Sequence, residues 1–118
     1  MQRVTNCKNK MLIFIKPGDD EVFRNFITLL KYIELFEREK NTCMDVVLDN
    51  NLHTSLQKYR RENEEPDLTK EFNTIFSSED KRLKSSIDWI ITLGGDGTIL
   101  WAAKNFNQGK CPPIITFS

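Results

Sequence analysis

The sequence predicts an α/β fold built on an open, parallel β-sheet, and three observations lead to this prediction. Short apolar runs alternate along the chain with stretches of helical periodicity. The first two runs are separated by a crossover long enough to join parallel strands. A later run ends in a cluster of glycines that opens another helix, which is where such sheets bind ligands.

The first predicted unit is a strand followed by a long amphipathic helix. Residues 11–15 are all apolar, as expected of a central strand buried on both faces, and a Lys-Pro-Gly breaker follows at residues 16–18. Asp19 or Asp20 is suited to cap a helix that runs to about Lys40. Its apolar side chains recur at helical spacing: Val22, Phe23, Phe26, Ile27, Leu30 and Ile33.

The middle of the chain gives a weaker pattern. Residues 43–48 resemble a second strand, and residues 49–86 are polar and charged. We interpret this polar stretch as a variable, solvated surface segment, part of which is a flexible insertion. Two sets of apolar residues within it hint at short helices: Leu52, Leu56 and Tyr59, and then Phe72, Ile75 and Phe76.

The last part of the chain repeats the strand–helix–strand order. Residues 88–93 predict a buried strand, residues 98–106 a helix that Gly109 ends, and residues 113–117 another strand. These elements indicate a Rossmann-like open sheet over residues 11–118, preceded by a flexible N-terminus at residues 1–10.

Composition excludes several classes of function. The 118 residues carry no net charge, so nothing draws the chain toward nucleic acid or an anionic membrane. No apolar run reaches the roughly 18 residues of a membrane span, and residues 1–10 lack the apolar core of a signal peptide. We therefore expect a cytoplasmic protein with no membrane and no nucleic-acid partner.

Cysteine and histidine usage argues against a metal site. Cys7, Cys43 and Cys111 are widely spaced and odd in number, so we expect free thiols. His53 is the only histidine, so the sequence offers few ligands for zinc and a single candidate base for a serine–histidine triad. We predict no protein-borne metal centre.

The candidate functional residues are Gly94, Gly95, Asp96, Gly97 and Thr98, between the third predicted strand and its helix. Glycine adopts positive φ without penalty and lets a ligand approach the backbone closely. The helix that follows presents unpaired N–H groups and the positive end of its dipole. Together these features predict a phosphate-binding loop.

Asp96 is the unexpected member of this loop, because a carboxylate repels phosphate. It fits if it accepts a proton from a hydroxyl that attacks a phosphoryl group, or if it holds a divalent cation. The plainer interpretation is a strand-to-helix turn capped by an aspartate, which does not require so many glycines.

These residues resemble the first motif of the NAD kinases. The motif covers residues 93–100 (Leu-Gly-Gly-Asp-Gly-Thr-Ile-Leu), and the resemblance continues through residues 101–103 and the proline-led strand at 112–117. Residues 14–17 (Phe-Ile-Lys-Pro) are similar to the family's first strand and turn. The match is tight over residues 87–118, loose over 11–48, and absent between them.

The resemblance implies an enzyme that transfers the terminal phosphoryl group of ATP to the adenosine 2′-hydroxyl of NAD, assisted by Mg²⁺ or another divalent cation. Asp96 would then be the proton acceptor, and Gly97 would contact the dinucleotide. Gly94 and Gly95 would shape the phosphate side of the loop.

The family pattern also continues beyond Ser118, with an Asn-Glu or Asn-Asp pair that helps hold NAD and a β-rich C-terminal domain. We therefore expect residues 11–118 to be a truncated N-terminal nucleotide-binding domain that is inactive alone. The resemblance further implies a homo-oligomer in the intact protein.

Two kinds of alternative remain open: a different kinase that shares the loop, and a non-catalytic protein. Lipid kinases of the diacylglycerol and sphingosine type share the loop but usually continue with Asn-Glu, where this chain has Ile99-Leu100-Trp101; phosphofructokinases favour Ser at the position of Thr98. A non-catalytic nucleotide-binding module is the alternative from another class.

Overall fold

A computed structural model describes residues 9–106, 109 and 111–117. The described chain forms a five-stranded, entirely parallel sheet with helices on both faces, which confirms the predicted α/β fold. The elements in chain order are β1 (Asn9–Ile15), α1 (Asp20–Lys40), β2 (Met44–Asp49), α2 (Asn50–Glu62), β3 (Ile75–Phe76), α3 (Lys81–Ser86), β4 (Trp89–Leu93), α4 (Asp96–Lys104) and β5 (Ile114–Phe117).

The strand order in the sheet is β3-β2-β1-β4-β5. The chain first builds outward from β1 through β2 to β3, then returns to place β4 and β5 on the other side of β1. The direction of winding therefore reverses between β1 and β4, whose last residues, Ile15 and Leu93, pair with each other. An open α/β sheet binds ligands in the crevice outside such a reversal, at the carboxyl ends of the strands.

The sheet is covered by apolar side chains on both faces. Met11 and Ile13 of β1 face the core that α1 and α2 cover, whereas Leu12 and Phe14 face the core that α4 helps to cover. All four side chains are buried. This agrees with the prediction that the apolar run at residues 11–15 is a central strand.

Helix α1 has the start that the sequence predicts. Asp19 is the N-cap, and its carboxylate accepts a hydrogen bond from the backbone N–H of Val22 at 3.1 Å. The helix ends where Asn41 adopts a left-handed conformation with φ of 48°. Phe26, Leu30 and other apolar residues of its inner face are buried against the sheet.

The polar segment at residues 49–86 is more ordered than the sequence indicates. Residues 50–62 form α2, which fits the first predicted short helix, but Ile75 and Phe76 form β3 and pair with β2 instead of forming a second helix. Between α2 and β3, the backbone N–H and hydroxyl of Thr69 donate to the buried carboxylate of Glu34 on α1. These residues therefore make defined contacts with the rest of the fold, while the variability and flexibility of the segment stay predictions.

The first strand begins earlier in the chain than the sequence predicts. Residues 1–8 of the predicted flexible N-terminus lie outside the described residues, while Asn9 and Lys10 already belong to β1 and pair with β2.

Cys43 is disulfide-bonded, so the expectation of free thiols is wrong there, although Cys111 is free. An odd number of cysteines means that at least one thiol has no disulfide partner within the chain, but it does not prevent the other two from forming a disulfide.

None of the helices in the described part of the chain is long and apolar enough to cross a membrane.

Candidate functional site

The glycine-rich loop follows β4 at the carboxyl edge of the sheet, beside the reversal in winding. Gly94 and Gly95 have φ angles of 141° and 145°, which L-residues with a side chain rarely adopt. Helix α4 begins at Asp96, two residues earlier than predicted. Asp96 and Gly97 therefore belong to the first turn of the helix, and only the first two glycines form the turn.

Gly94 is the point where the ends of three strands meet. A Cβ atom built on it would lie 2.5 Å from Cβ of Lys16 and 2.9 Å from Oγ1 of Thr98. The backbone N–H of Lys16 donates to the carbonyl of Leu93 at 2.8 Å, and that of Gly94 donates to the carbonyl of Phe117 at 3.2 Å. The end of β1 and the end of β5 thus hold the loop from both sides.

The loop presents unpaired backbone donors. The carbonyl of Gly95 accepts from the N–H groups of Thr98 and Ile99, at 3.1 and 3.2 Å. No described residue accepts a hydrogen bond from the N–H groups of Gly95, Asp96 or Gly97, and the N-cap Gly95 has no side chain to cap the helix. Three N–H donors at a helix N-terminus form a site suited to phosphate.

The structure separates the roles of the predicted site residues. Asp96 and Gly97 are exposed, Gly94 and Gly95 are half-buried, and Thr98 is buried with 6 % of its surface accessible. No described residue forms a hydrogen bond or ion pair with the Asp96 carboxylate, which leaves it available to a ligand. Thr98 instead supports the turn from inside, where its hydroxyl lies under Gly94.

A cleft of about 530 Å³ lies over the loop. Besides the five loop residues, Lys16, Pro17 and Trp101 line it. The Lys16 side chain is half exposed, and its ammonium group lies 4.0 Å from the Asp19 carboxylate, the limit of an ion pair. Lys16 therefore brings a weakly paired positive charge to the cleft that contains Asp96.

Sequence reasoning did not single out Lys16 or Trp101 as site residues. In the sequence, Lys16 lies in a strand-ending breaker and in the Phe-Ile-Lys-Pro segment that resembles the family, and Trp101 lies in the helix after the loop, but neither pattern predicts a role in the site. Trp101 packs against Phe14 with ring centroids 4.7 Å apart and remains 40 % exposed beside the cleft. Two features of the sequence could have indicated Lys16: its place in the Phe-Ile-Lys-Pro segment, and its position after a buried strand. Such a position marks a ligand-binding edge only when the strand order is known.

The fold and this loop define a class: an α/β nucleotide-binding domain whose sheet has, at its winding reversal, a loop suited to phosphate. The ATP-NAD kinase N-terminal domain is the family model that matches, over residues 11–118. The chain belongs to the NAD kinase family.

Curated relatives agree with this assignment. The chain is 46% identical over 111 residues to "NADH kinase pos5, mitochondrial" of Schizosaccharomyces pombe, with 92% of this chain and 24% of that protein covered. It is 31% identical over 99 residues to "ATP-NADH kinase YEF1" of Saccharomyces cerevisiae, covering 82% of this chain and 17% of that protein. A 40-residue match to "Probable NAD kinase 1" of Oryza sativa is 55% identical, covering 34% of this chain and 7% of the relative. The chain thus spans a quarter or less of the length of these relatives.

Proposed function

We propose that the protein containing this chain is an NAD kinase, which transfers the terminal phosphoryl group of ATP to the adenosine 2′-hydroxyl of NAD and yields NADP and ADP. One observation carries the proposal: three unpaired backbone N–H groups lie beside a carboxylate that no described residue binds. Asp96 follows the N-cap residue Gly95 and its carboxylate forms no hydrogen bond within its helix, whereas the N-cap residues Asp19 and Asp49 use their carboxylates to cap theirs.

In the proposed reaction, Asp96 accepts the proton of the 2′-hydroxyl as its oxygen attacks the terminal phosphorus. The new bond joins that oxygen to phosphorus, and the bond from phosphorus to the bridging oxygen of ADP breaks. The N–H groups of Gly95 and Gly97 and the ammonium of Lys16 offset the negative charge of the phosphates. Catalysis of this kind depends mainly on positioning and on electrostatic stabilisation.

We propose Mg²⁺ as the divalent cation. No group of three or more His, Cys, Asp or Glu side chains within the described ranges could hold a metal ion alone. Mg²⁺ in kinases is commonly held by one or two carboxylates together with substrate phosphates. Because Asp96 is proposed as the proton acceptor, the substrate phosphates would hold the cation, which would neutralise part of their charge.

The acceptor is proposed as NAD, with NADH as the alternative suggested by the names of the two yeast relatives.

The intact protein, as a homo-oligomer, is the proposed active form, since the described residues leave Asp96 and Gly97 open to solvent. A cytoplasmic location remains our proposal, and the mitochondrial designation of one relative makes organelle fractionation its test.

The direct test is to purify the intact protein and supply ATP, Mg²⁺ and either NAD or NADH. NADP or NADPH, measured with a dehydrogenase specific for the phosphorylated form, is the expected product. A diacylglycerol or sphingosine acceptor serves as the control for the lipid-kinase alternative. Phosphorylation of the lipid without that of NAD or NADH would overturn the proposal, and nucleotide binding without any transfer would favour the non-catalytic module.

A further inference from the structure

A second cleft, of about 650 Å³, adjoins the loop cleft along the carboxyl edge of the sheet. It lies between the turn after β1 and helix α2, and it shares Lys16, Pro17 and Trp101 with the loop cleft. Its volume is in the range of small-molecule sites, roughly 300–1,000 Å³. Asp96 lines only the loop cleft, so the second cleft extends away from the proposed proton acceptor.

The second cleft is more acidic than the loop cleft, whose charged side chains are one lysine, Lys16, and one aspartate, Asp96. Four carboxylates line the second cleft against two ammonium groups: Asp19, Asp20, Asp49 and Glu62 against Lys16 and Lys58. The N-termini of α1 and α2 also point to this edge, but Asp19 and Asp49 already cap them through the N–H groups of Val22 and Leu52. This cleft therefore disfavours phosphate, whereas hydroxyl groups could donate to its carboxylates.

The second cleft also has an aromatic wall. The rings of Phe23 and Tyr59 are in edge contact, with centroids 5.8 Å apart and planes at 65°. The Tyr59 hydroxyl donates to Glu65, which fixes the orientation of its ring. Buried Leu52 lines the cleft beside them. Such a wall suits a flat heteroaromatic ring.

We propose that the second cleft is the nucleoside subsite for the phosphoryl donor. The purine ring packs against Phe23 and Tyr59, the ribose hydroxyls face carboxylates such as Asp49, and the phosphates pass Lys16 to reach the loop. This inference rests on the proposed kinase function. In-line transfer supports it, because the leaving ADP must lie opposite the attacking hydroxyl, and the second cleft extends away from Asp96.

The test places a large side chain in the second cleft by replacing an exposed residue that lines it. Ser55 lines the second cleft on α2, while its neighbour Thr54 is also exposed but lies outside that lining. In the intact protein, S55W is expected to raise the KM for ATP at least tenfold and to leave the KM for NAD unchanged. T54W is the matched control and is expected to leave both KM values unchanged. Thermal melting and circular dichroism check that both variants fold.

Inorganic tripolyphosphate separates the nucleoside subsite from the phosphate site. Equilibrium binding of radiolabelled ATP should weaken in S55W, whereas tripolyphosphate should bind the variant and the wild type equally. Unchanged ATP binding, or a rise in the KM for NAD alone, would overturn the subsite. A wild type that binds ATP but forms no NADP or NADPH would overturn the kinase function, and the binding comparison would still decide the subsite.

Discussion

At the scale of single residues, the site depends on how closely two strand ends approach each other. Gly94 lies directly against Lys16, so the same contact that forbids a side chain at position 94 also places Lys16 beside the glycine-rich loop. The structure requires glycine at position 94 but not at position 97. Steric contact and a positive φ exclude a side chain at Gly94, whereas a Cβ atom on Gly97 would meet no neighbouring atom.

Gly94→Ala is expected to destabilise the fold. The new Cβ would lie 2.5 Å from Cβ of Lys16, at a residue with φ of 141°. Backbone strain of this kind costs of order 1–3 kcal/mol, and the contact adds to it. The free energy of unfolding, measured by urea denaturation, should fall by at least that amount.

Gly97→Ala is the matched control, since a Cβ on Gly97 meets no atom within 4 Å and α4 already contains this residue. Alanine in a helix is favoured over glycine by up to about 1 kcal/mol. The control should therefore be as stable as the wild type or slightly more stable. Equal loss of stability in both variants would contradict the steric account of Gly94.

Lys16→Gln is expected to weaken the binding of the phosphoryl donor. The substitution removes the positive charge beside the loop, and a hydrogen bond to a charged group contributes roughly 1.5–3 kcal/mol, so the KM for ATP should rise about tenfold or more. Lys40→Gln, an exposed lysine in the last turn of α1, is the control. An unchanged KM for ATP in Lys16→Gln would remove Lys16 from the site.

At the scale of elements, α1 and the segment between α2 and β3 stabilise each other through polar contacts. The Glu34 carboxylate binds Thr69, and Lys70 forms an ion pair with Glu37 at 2.8 Å. Lys31 pairs with Glu65 in the same region. Partners more than 30 residues apart give no periodic signal, which is why the sequence indicated a solvated segment here.

The Lys31–Glu65 pair predicts a pH dependence of stability. The hydrogen bond from Lys31, followed by that from Tyr59, lowers the pKa of Glu65 below its usual 4.5. A lowered folded-state pKa contributes stability above the unfolded-state value, and this contribution disappears as pH falls through the folded-state value. The wild type should therefore lose its advantage over Glu65→Gln on acidification from neutral pH to below 4.5.

Urea denaturation across this pH range measures the effect. Glu64→Gln is the control, because Glu64 is exposed and next to Glu65 in the chain. The control should parallel the wild type at every pH. If Glu65→Gln also keeps a constant difference from the wild type, the pair contributes nothing that depends on ionisation.

At the scale of the whole molecule, the sequence predicted much of the fold and five of the eight residues that line the loop cleft. The apolar runs at residues 11–15 and 88–93 predicted β1 and β4, and the glycines predicted the loop between β4 and α4. Strand order is a property of long-range pairing, so the sequence alone could not place Lys16 beside Gly94 or reveal the second cleft. The two-residue β3 is too short to show a period.

The openness of the loop leads to a prediction for the isolated chain of 118 residues. Asp96 and Gly97 are exposed, and phosphoryl transfer benefits from a site that excludes water. We expect this chain, purified alone and given ATP, NAD and Mg²⁺, to fold but to form no NADP. Measurable turnover, with circular dichroism confirming the fold, would show that the described residues suffice for catalysis.

The most direct measurement of the central claim compares Asp96→Asn with the wild type in the intact protein. If Asp96 accepts the proton of the attacking hydroxyl, kcat for NADP formation should fall by about 10²–10⁴-fold, the usual contribution of a general base. ATP binding, measured by calorimetry, should be nearly unchanged, because the amide keeps the size of the carboxylate and the backbone donors remain. An unchanged kcat would contradict the role of Asp96 as the proton acceptor.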